Sequence, residues 1–334
     1  MDHSSAAAYV YAKASGMLSK SFVGPRTEKL FAARSLNDLW TLLFRGEVPL
    51  VPEALLAKQI EKKAEQTFIS DFITLLNSYD KPDPVLIQLL RLFDYGNIKD
   101  IAAALCDAKK DMPPITDIGK YSMLDYKAWP DIASITKNSP IAWYDKPPSW
   151  DKQSEMDARL DIQYVRALWQ AVHKLPKAER APVEKLLGEY IVLENCVWSV
   201  RLAVYYNMEK EEIVARLASE NDPADKNDRL AGEAVRILDR ATDSWQDWEN
   251  WRYAQLLNSG EEGAVWQIDP RRLQQASSVY LNKKALNMFH RYPFTAAVLV
   301  TWFKIKEHEL NCIRTAAEGM RLNTDGSGTV LTGR

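Results

Sequence analysis

Apolar residues recur every three or four positions along most of the chain, the spacing that places them on one face of an α-helix. The clearest run starts after Pro52, a residue suited to the first turn of a helix. Its apolar positions are Leu55, Leu56, Ile60, Ala64, Phe68, Phe72 and Leu75. The segment before it has an N-cap signal at Ser35, with Asp38 three residues later, and a glycine stop at Gly46. The pattern predicts a short helix followed by a long one.

Later segments repeat this period, and the alternation typical of strands is almost absent. Residues 83–110 are apolar on more than one side, which is typical of a helix inside a bundle. Residues 155–208 predict a helical hairpin, with Pro176 and Pro182 framing its connection. Further helices are predicted over residues 230–258 and 268–293 and through the C-terminal apolar stretch. We therefore expect an all-α protein.

Three turn-rich segments punctuate this helical pattern: Met112–Asp117, Asn138–Asp151 and Glu220–Asp228. The second and third of them supply the boundaries between larger parts of the chain. We predict helical modules over residues 1–145, 146–221 and 222–322, followed by a polar tail at 323–334 whose glycines predict a frayed end.

An acidic residue close to an Asn recurs in three helical segments, each of which also holds one of the three cysteines. The segments read LFDYGNIKDIAAALC, EYIVLENCVWSVRLA and KEHELNCIRTAAEG. In the second and third, an Arg follows a Glu by seven residues, as Arg201 follows Glu194 and Arg314 follows Glu307. Units spaced by about 100 residues predict three versions of one helical module.

The last of these segments places ionisable groups beside PFTAAVLVTWF, the longest apolar run of the chain. With 100° per residue, its apolar side chains form one stripe, which we expect to face the core. Glu307, Asn311 and Arg314 line one flank of the stripe, and Glu309 lies at the other edge. Half-buried charges are costly unless paired. The pattern predicts either a Glu-Asn-Arg network that ties the helix to a neighbour or a contact with another protein.

Composition narrows the range of functions. The chain has 334 residues and is 46% hydrophobic, with 43 basic and 45 acidic residues that leave a net charge of -2. The nearly neutral balance gives no electrostatic footprint for nucleic acid. The longest apolar run is about half the ~20 residues that cross a bilayer, and no signal peptide is evident at the N-terminus. We expect a soluble, cytoplasmic protein whose three widely spaced cysteines stay free thiols.

Catalytic motifs are scarce. Neither GxxxxGK[ST] nor GxGxxG occurs, so no nucleotide cofactor is expected. His308 and Glu309 begin like the zinc-binding motif HExxH, but Cys312 stands where the second His belongs, so no metal site is expected.

A glycosidase-like alternative rests on Trp245, Trp248 and Trp251, which alternate with acidic residues. Three indoles on one helix face more often pack into a core.

Three stretches carry a resemblance to a known family. The chain opens with YVYAKASGMLSKSFVG, closes with FKIKEHELNCIRTAAEGM, and contains LFDYGNIKDI between them. The matching positions are Tyr11, Ala14, Leu18 and Ser19 in the opening stretch, and Lys306, Glu307, Glu309, Asn311 and Arg314 in the closing one. In these features, and in length, the chain resembles the C/d subunit family of V-type and A-type rotary ATPases.

The resemblance implies three similar helical modules around a pseudo-threefold axis, forming a funnel. It implies a non-catalytic rotor and central-stalk subunit, a socket that links the membrane rotor ring to the central stalk and couples ATP turnover to proton or sodium transport. The implied location is peripheral, on the cytoplasmic face of the membrane, with no cofactor. The residues expected to be structural or to contact partners are Glu307, Glu309, Asn311, Arg314, Glu194 and Arg201. The alternative is a helical-repeat scaffold unrelated to the ATPase.

Overall fold

A computed structural model describes residues 3–260 and 265–322. Within these ranges the secondary structure is helical, with four short 3₁₀ helices and no strand, which confirms the predicted all-α class. In chain order the α-helices are α1 His3–Leu18, α2 Glu28–Phe31, α3 Leu36–Leu43, α4 Glu53–Leu76, α5 Pro84–Leu90, α6 Leu92–Cys106, α7 Ile132–Thr136, α8 Gln153–His173, α9 Lys177–Tyr206, α10 Lys210–Val214, α11 Gly232–Ile237, α12 Trp245–Trp248, α13 Pro270–Phe289 and α14 Ala296–Arg321. None of these helices is long and apolar enough to cross a membrane.

The chain forms two compact units. Unit 1 comprises Met1–Pro82 and Arg271–Arg334, so it joins the two ends of the sequence, and unit 2 comprises Asp83–Pro270. The three predicted modules have other boundaries and stay a prediction, and the polar tail at 323–334 lies outside the described residues.

Packing between α4 and α14 forms the core of unit 1. The ring centroid of Phe303 lies 4.9 Å from that of Phe68 and 5.0 Å from that of Phe72. Phe72 also stacks on Trp302, with centroids 5.9 Å apart. Aromatic rings at these separations bury large apolar areas and add a favourable edge or stacking contact. The stripe that the sequence predicts on the last helix is therefore the one that faces α4.

The helix start and stop signals that the sequence predicts are confirmed in unit 1. The Ser35 hydroxyl caps α3 by accepting a hydrogen bond from the Asp38 N–H at 3.1 Å. Gly46 follows this helix with φ of +109°, a conformation that suits glycine. Pro52 precedes the long helix α4 as its N-cap.

Unit 2 departs from the predicted helices at three places. The helix predicted over residues 230–258 is wrong, because this segment holds only the short helices α11 and α12 and a 3₁₀ helix at Ala254–Leu256, joined by turns. The stretch over residues 83–110 is two helices, because the chain turns at Arg91 between α5 and α6. Pro182 does not frame the α8–α9 connection but lies inside α9, whereas Pro176 is its N-cap. Periodicity locates neither the turn at Arg91 nor the position of Pro182 inside α9, since the apolar spacing continues through both segments.

Candidate functional site

The sequence pattern predicts a network of Glu307, Asn311 and Arg314 on the flank of α14, but in the structure these residues have separate surroundings. The Lys304 ammonium lies 2.8 Å from Glu307, one turn along the same helix. The Arg314 guanidinium donates to the Glu65 carboxylate of α4. Asn311 is exposed, and its backbone carbonyl accepts from the Thr315 hydroxyl. On this flank, Arg314 ties α14 to α4.

Glu309 is the most deeply buried of the candidate acids, with 4% of its surface exposed. Its carboxylate pairs with the Lys306 ammonium and accepts a hydrogen bond from the backbone N–H of Phe22. The same ammonium donates to the Ser21 hydroxyl at 3.0 Å. Because both charged groups are removed from water, each depends on the other and on the loop after α1. The pair therefore fixes that loop against the last helix.

Acidic groups near α14 are held in crowded surroundings. Burial raises the pKa of Asp71, with Glu309 acting in the same direction and Lys306 opposing it. Burial also raises the pKa of Glu61, helped by the nearby Glu318 carboxylate and opposed by Arg314. The basic side chains of this region therefore oppose the effect of burial on the pKa of these acids.

His308 lies on α14 and faces α13, and it is not arranged as a metal ligand. Its Nδ1 lies 2.9 Å from the Ser278 hydroxyl of α13, and its Nε2 lies 3.6 Å from the Cys312 sulfur. Burial lowers the pKa of His308 and raises that of the Cys312 thiol to about 12, so both are neutral near pH 7. No group of three or more His, Cys, Asp or Glu side chains suited to a metal occurs within the described ranges.

In unit 2, Asn97 of α6 binds the backbone of a following loop in both directions. Its Nδ2 donates to the Thr116 carbonyl, and its Oδ1 accepts from the Thr116 N–H, both at 2.8 Å. The fully buried Asp94, one turn earlier, accepts from the Met123 N–H at 2.8 Å and from the Ser122 and Tyr126 hydroxyls. Burial raises the pKa of Asp94, although these three donors act in the opposite direction.

Asn195 of α9 repeats the same contact. Its Nδ2 donates to the Ala218 carbonyl at 2.8 Å, its Oδ1 accepts from the Ala218 N–H at 3.0 Å, and its Nδ2 also reaches the Leu230 carbonyl. We call this two-way amide contact, made by Asn97 and Asn195, the asparagine clasp. The recurring acid-Asn pattern signals these positions, but sequence reasoning does not supply the backbone partners 19 and 23 residues away.

Glu194 and Arg201 lie on another side of α9. Glu194 is exposed, and the Arg201 guanidinium carbon lies 5.9 Å from the ring centroid of Trp198. Trp198 and Tyr205 are exposed large side chains of the same helix. We call these four residues, which recur at intervals of three or four, the α9 face.

The tryptophan-rich segment is mostly structural. Trp248 and Trp251 are buried, and their indole N–H groups donate to the Ala241 carbonyl and to Glu233. Trp245 is exposed, because α12 ends at Trp248 and the three indoles do not share one helix face.

Comparisons with known proteins agree with the overall pattern. The sequence profile of a family described as "ATP synthase (C/AC39) subunit" matches residues 6–327. A relative from Treponema pallidum (strain Nichols), named "Uncharacterized protein", is 29% identical over 314 residues, which cover 93% of this chain and 91% of the relative. The profile match includes α14, both asparagine clasps and the α9 face.

Proposed function

Because the chain belongs to the C/AC39 subunit family of ATP synthases, we propose that it is a non-catalytic rotor subunit that links a membrane rotor ring to the central stalk. The observation that carries the proposal is the family match across nearly the whole chain. In this role the subunit passes torque between ATP turnover and ion transport, and it lies peripherally on the cytoplasmic face of the membrane.

A torque-bearing subunit needs helices that do not shift or open under load, and the buried polar contacts support this requirement. Asn97 and Asn195 each fix a loop to a long helix, and Glu309 fixes the loop after α1. Opening any of these contacts would leave buried polar groups without partners, which is costly. The clasp recurs at Asn97 and Asn195, in two of the three proposed modules, whereas Asn311 of the third is exposed.

We assign the α9 face to the central stalk. An exposed Trp beside an Arg is the composition that anchors many protein interfaces, because both side chains bury large areas and offer specific polar contacts. Trp198, Arg201 and Tyr205 provide this composition on a long, well-packed helix, and Glu194 adds a rim charge. Asn311, exposed on α14, is a second candidate contact for a partner.

Co-purification tests the assignment. A tagged chain isolated from its native membranes should travel with rotor ring and central stalk subunits. In a deletion strain, the soluble head should still hydrolyse ATP while ion pumping is lost. Intact ion transport without this chain, or a tagged chain that brings down neither ring nor stalk, would contradict the proposal.

A variant tests the α9 face separately. Trp198→Ser combined with Tyr205→Ser should release the stalk subunits and leave the ring subunits attached. Trp245→Ser, which changes an exposed indole elsewhere in unit 2, is the matched control and should keep both. Retention of the stalk by the double variant would remove the α9 face from the interface.

A further inference from the structure

The two structural units carry opposite charge, although the chain as a whole is nearly neutral. Unit 1 contains 20 Lys and Arg against 13 Asp and Glu, a net charge of +7. Unit 2 contains 23 against 32, a net charge of -9. The even balance of the whole sequence thus conceals a basic unit built from its two ends.

Within unit 1, two stretches contain no acidic residue at all. Residues 3–27 and 271–306 together hold ten basic ones: Lys13, Lys20, Arg26, Arg271, Arg272, Lys283, Lys284, Arg291, Lys304 and Lys306. The last two are buried or nearly so and pair with Glu307 and Glu309, whereas the other eight are exposed or half-exposed. The positive charge of these stretches therefore faces solvent.

The loop between α13 and α14 adds exposed aromatic side chains to this charge. Phe294 is 55% exposed at φ of +64°, a backbone conformation that a bulky residue rarely adopts. Tyr11 of α1 supports the loop, since its hydroxyl lies 2.9 Å from His290 Nδ1 and its ring packs edge-on against Phe294 at 5.7 Å. Tyr292 is also exposed.

Basic residues flank this aromatic loop on the surface. Arg291 is exposed within it, and Lys283 is exposed on α13, seven residues before His290. We call Lys283, His290, Arg291, Tyr292 and Phe294 the basic aromatic tip.

We propose that the basic aromatic tip docks on an anionic lipid surface, with the aromatic rings at headgroup depth and the basic side chains on the lipid phosphates. The inference rests on the proposed function, which brings the chain next to a membrane. Exposed Tyr and Phe rings beside Lys and Arg match the chemistry of the membrane interface, where aromatic rings settle and anionic headgroups attract cations.

The charge pattern favours lipid over an acidic protein partner. Protein interfaces use charges of both signs to fix register and exclude wrong partners. Residues 3–27 and 271–306 offer no acidic group for such pairing, and more than half of the Phe294 side chain is exposed. A basic loop with exposed aromatic rings fits an anionic headgroup surface, into which the rings can settle.

Vesicle co-sedimentation of the purified full chain tests the proposal. The chain should bind vesicles of phosphatidylcholine mixed with phosphatidylglycerol, bind pure phosphatidylcholine vesicles far less, and release at high salt. In the triple variant Lys283→Gln/Arg291→Gln/Phe294→Gly, loss of two basic side chains should weaken binding roughly 25-fold, and loss of the ring further. Glycine suits the positive φ at position 294, so the loop should keep its conformation.

A matched variant in unit 2 is the control. Lys146→Gln/Trp150→Gly/Lys152→Gln also removes two exposed basic side chains and an exposed ring, 63% exposed in Trp150, but from a loop that contains Asp145 and Asp151. It should bind vesicles as the unchanged chain does, and circular dichroism should show that both variants are folded.

Equal binding to both vesicle types, binding to neither, or equal loss in the two variants would each overturn the lipid proposal. Loss of a co-purifying subunit in the tip variant, with no vesicle binding by the unchanged chain, would assign the tip to a protein partner instead. Failure of the rotor assignment itself would appear separately, as absence of ring and stalk subunits from the purified complex.

Discussion

Asn97 and Thr116 exchange two hydrogen bonds, from side-chain amide to backbone carbonyl and from backbone N–H to side-chain oxygen. The contact joins two positions that are 19 residues apart. It gives the Thr116 backbone the two hydrogen bonds that a helix or a strand would otherwise provide. Asn195 exchanges the same two hydrogen bonds with the backbone of Ala218. An amide can do this because it carries a donor and an acceptor side by side.

Asn97→Ala should lower the free energy of unfolding by roughly 2–4 kcal/mol, because it removes both hydrogen bonds between the buried Asn97 amide and the half-buried Thr116 backbone. Urea unfolding of the purified protein measures the change. Asn311→Ala, on an exposed face of α14, is the matched control and should change stability by less than about 0.5 kcal/mol. Equal losses in the two variants would remove the special role of the clasp.

Glu309→Gln should cost about 3–5 kcal/mol, because the Lys306 ammonium stays buried without its counter-charge. The double variant Lys306→Met/Glu309→Gln should lose less than the single one, since the Lys306 ammonium is removed together with its counter-charge. Glu318→Gln breaks the more exposed pair with Arg321 and should cost under about 1 kcal/mol. Denaturant unfolding of all three variants tests this order of stability. A double variant less stable than Glu309→Gln would contradict it.

Asp94 should make stability depend on pH. Its pKa is raised in the folded state, so its contribution is fully present below the unfolded value of about 3.9 and is lost as pH rises through the folded pKa. Between about pH 7 and about pH 5, any change in the stability difference between the unchanged protein and Asp94→Asn should favour the unchanged protein as pH falls, with ~1.4 kcal/mol per pH unit as the upper limit.

Asp239→Asn is the control for that experiment. Hydrogen bonds from Lys210 and Lys226 lower the pKa of Asp239 to about 2, so this carboxylate stays charged at both pH values. Urea unfolding at each pH should give the same difference in the free energy of unfolding between Asp239→Asn and the unchanged protein across this range. An Asp94→Asn difference that moves the opposite way would mean that its hydrogen-bond donors outweigh its burial.

Arg314→Glu should destabilise unit 1 by about 1 kcal/mol, a modest figure because 40% of the Arg314 side chain is exposed. The new carboxylate would face Glu65 and stand in the same acidic surroundings as Glu61 and Glu318. High salt should reduce the loss by screening this repulsion. The swap Glu65→Arg/Arg314→Glu should recover part of the stability, and a swap no better than the single variant would show that the pair contributes little.

Much of the fold follows from local pattern. The Ser35 cap, the start of α4 after Pro52 and the buried stripe of α14 depend on neighbours within a few residues, so periodicity and capping chemistry predict them. Local pattern does not predict the turn at Arg91 or the continuation of α9 through Pro182, because the apolar spacing continues across both.

By itself, the sequence determined the helical class, the apolar faces and the resemblance to rotary ATPase subunits, since these depend on which side chains recur and at what spacing. Tertiary structure decided which polar residue meets which partner. Glu309 and Asn311 are two positions apart on one helix, yet the first is buried against Phe22 and the second faces solvent. Spacing fixes the angle of a side chain about its helix axis, whereas the partner depends on which distant segment packs there.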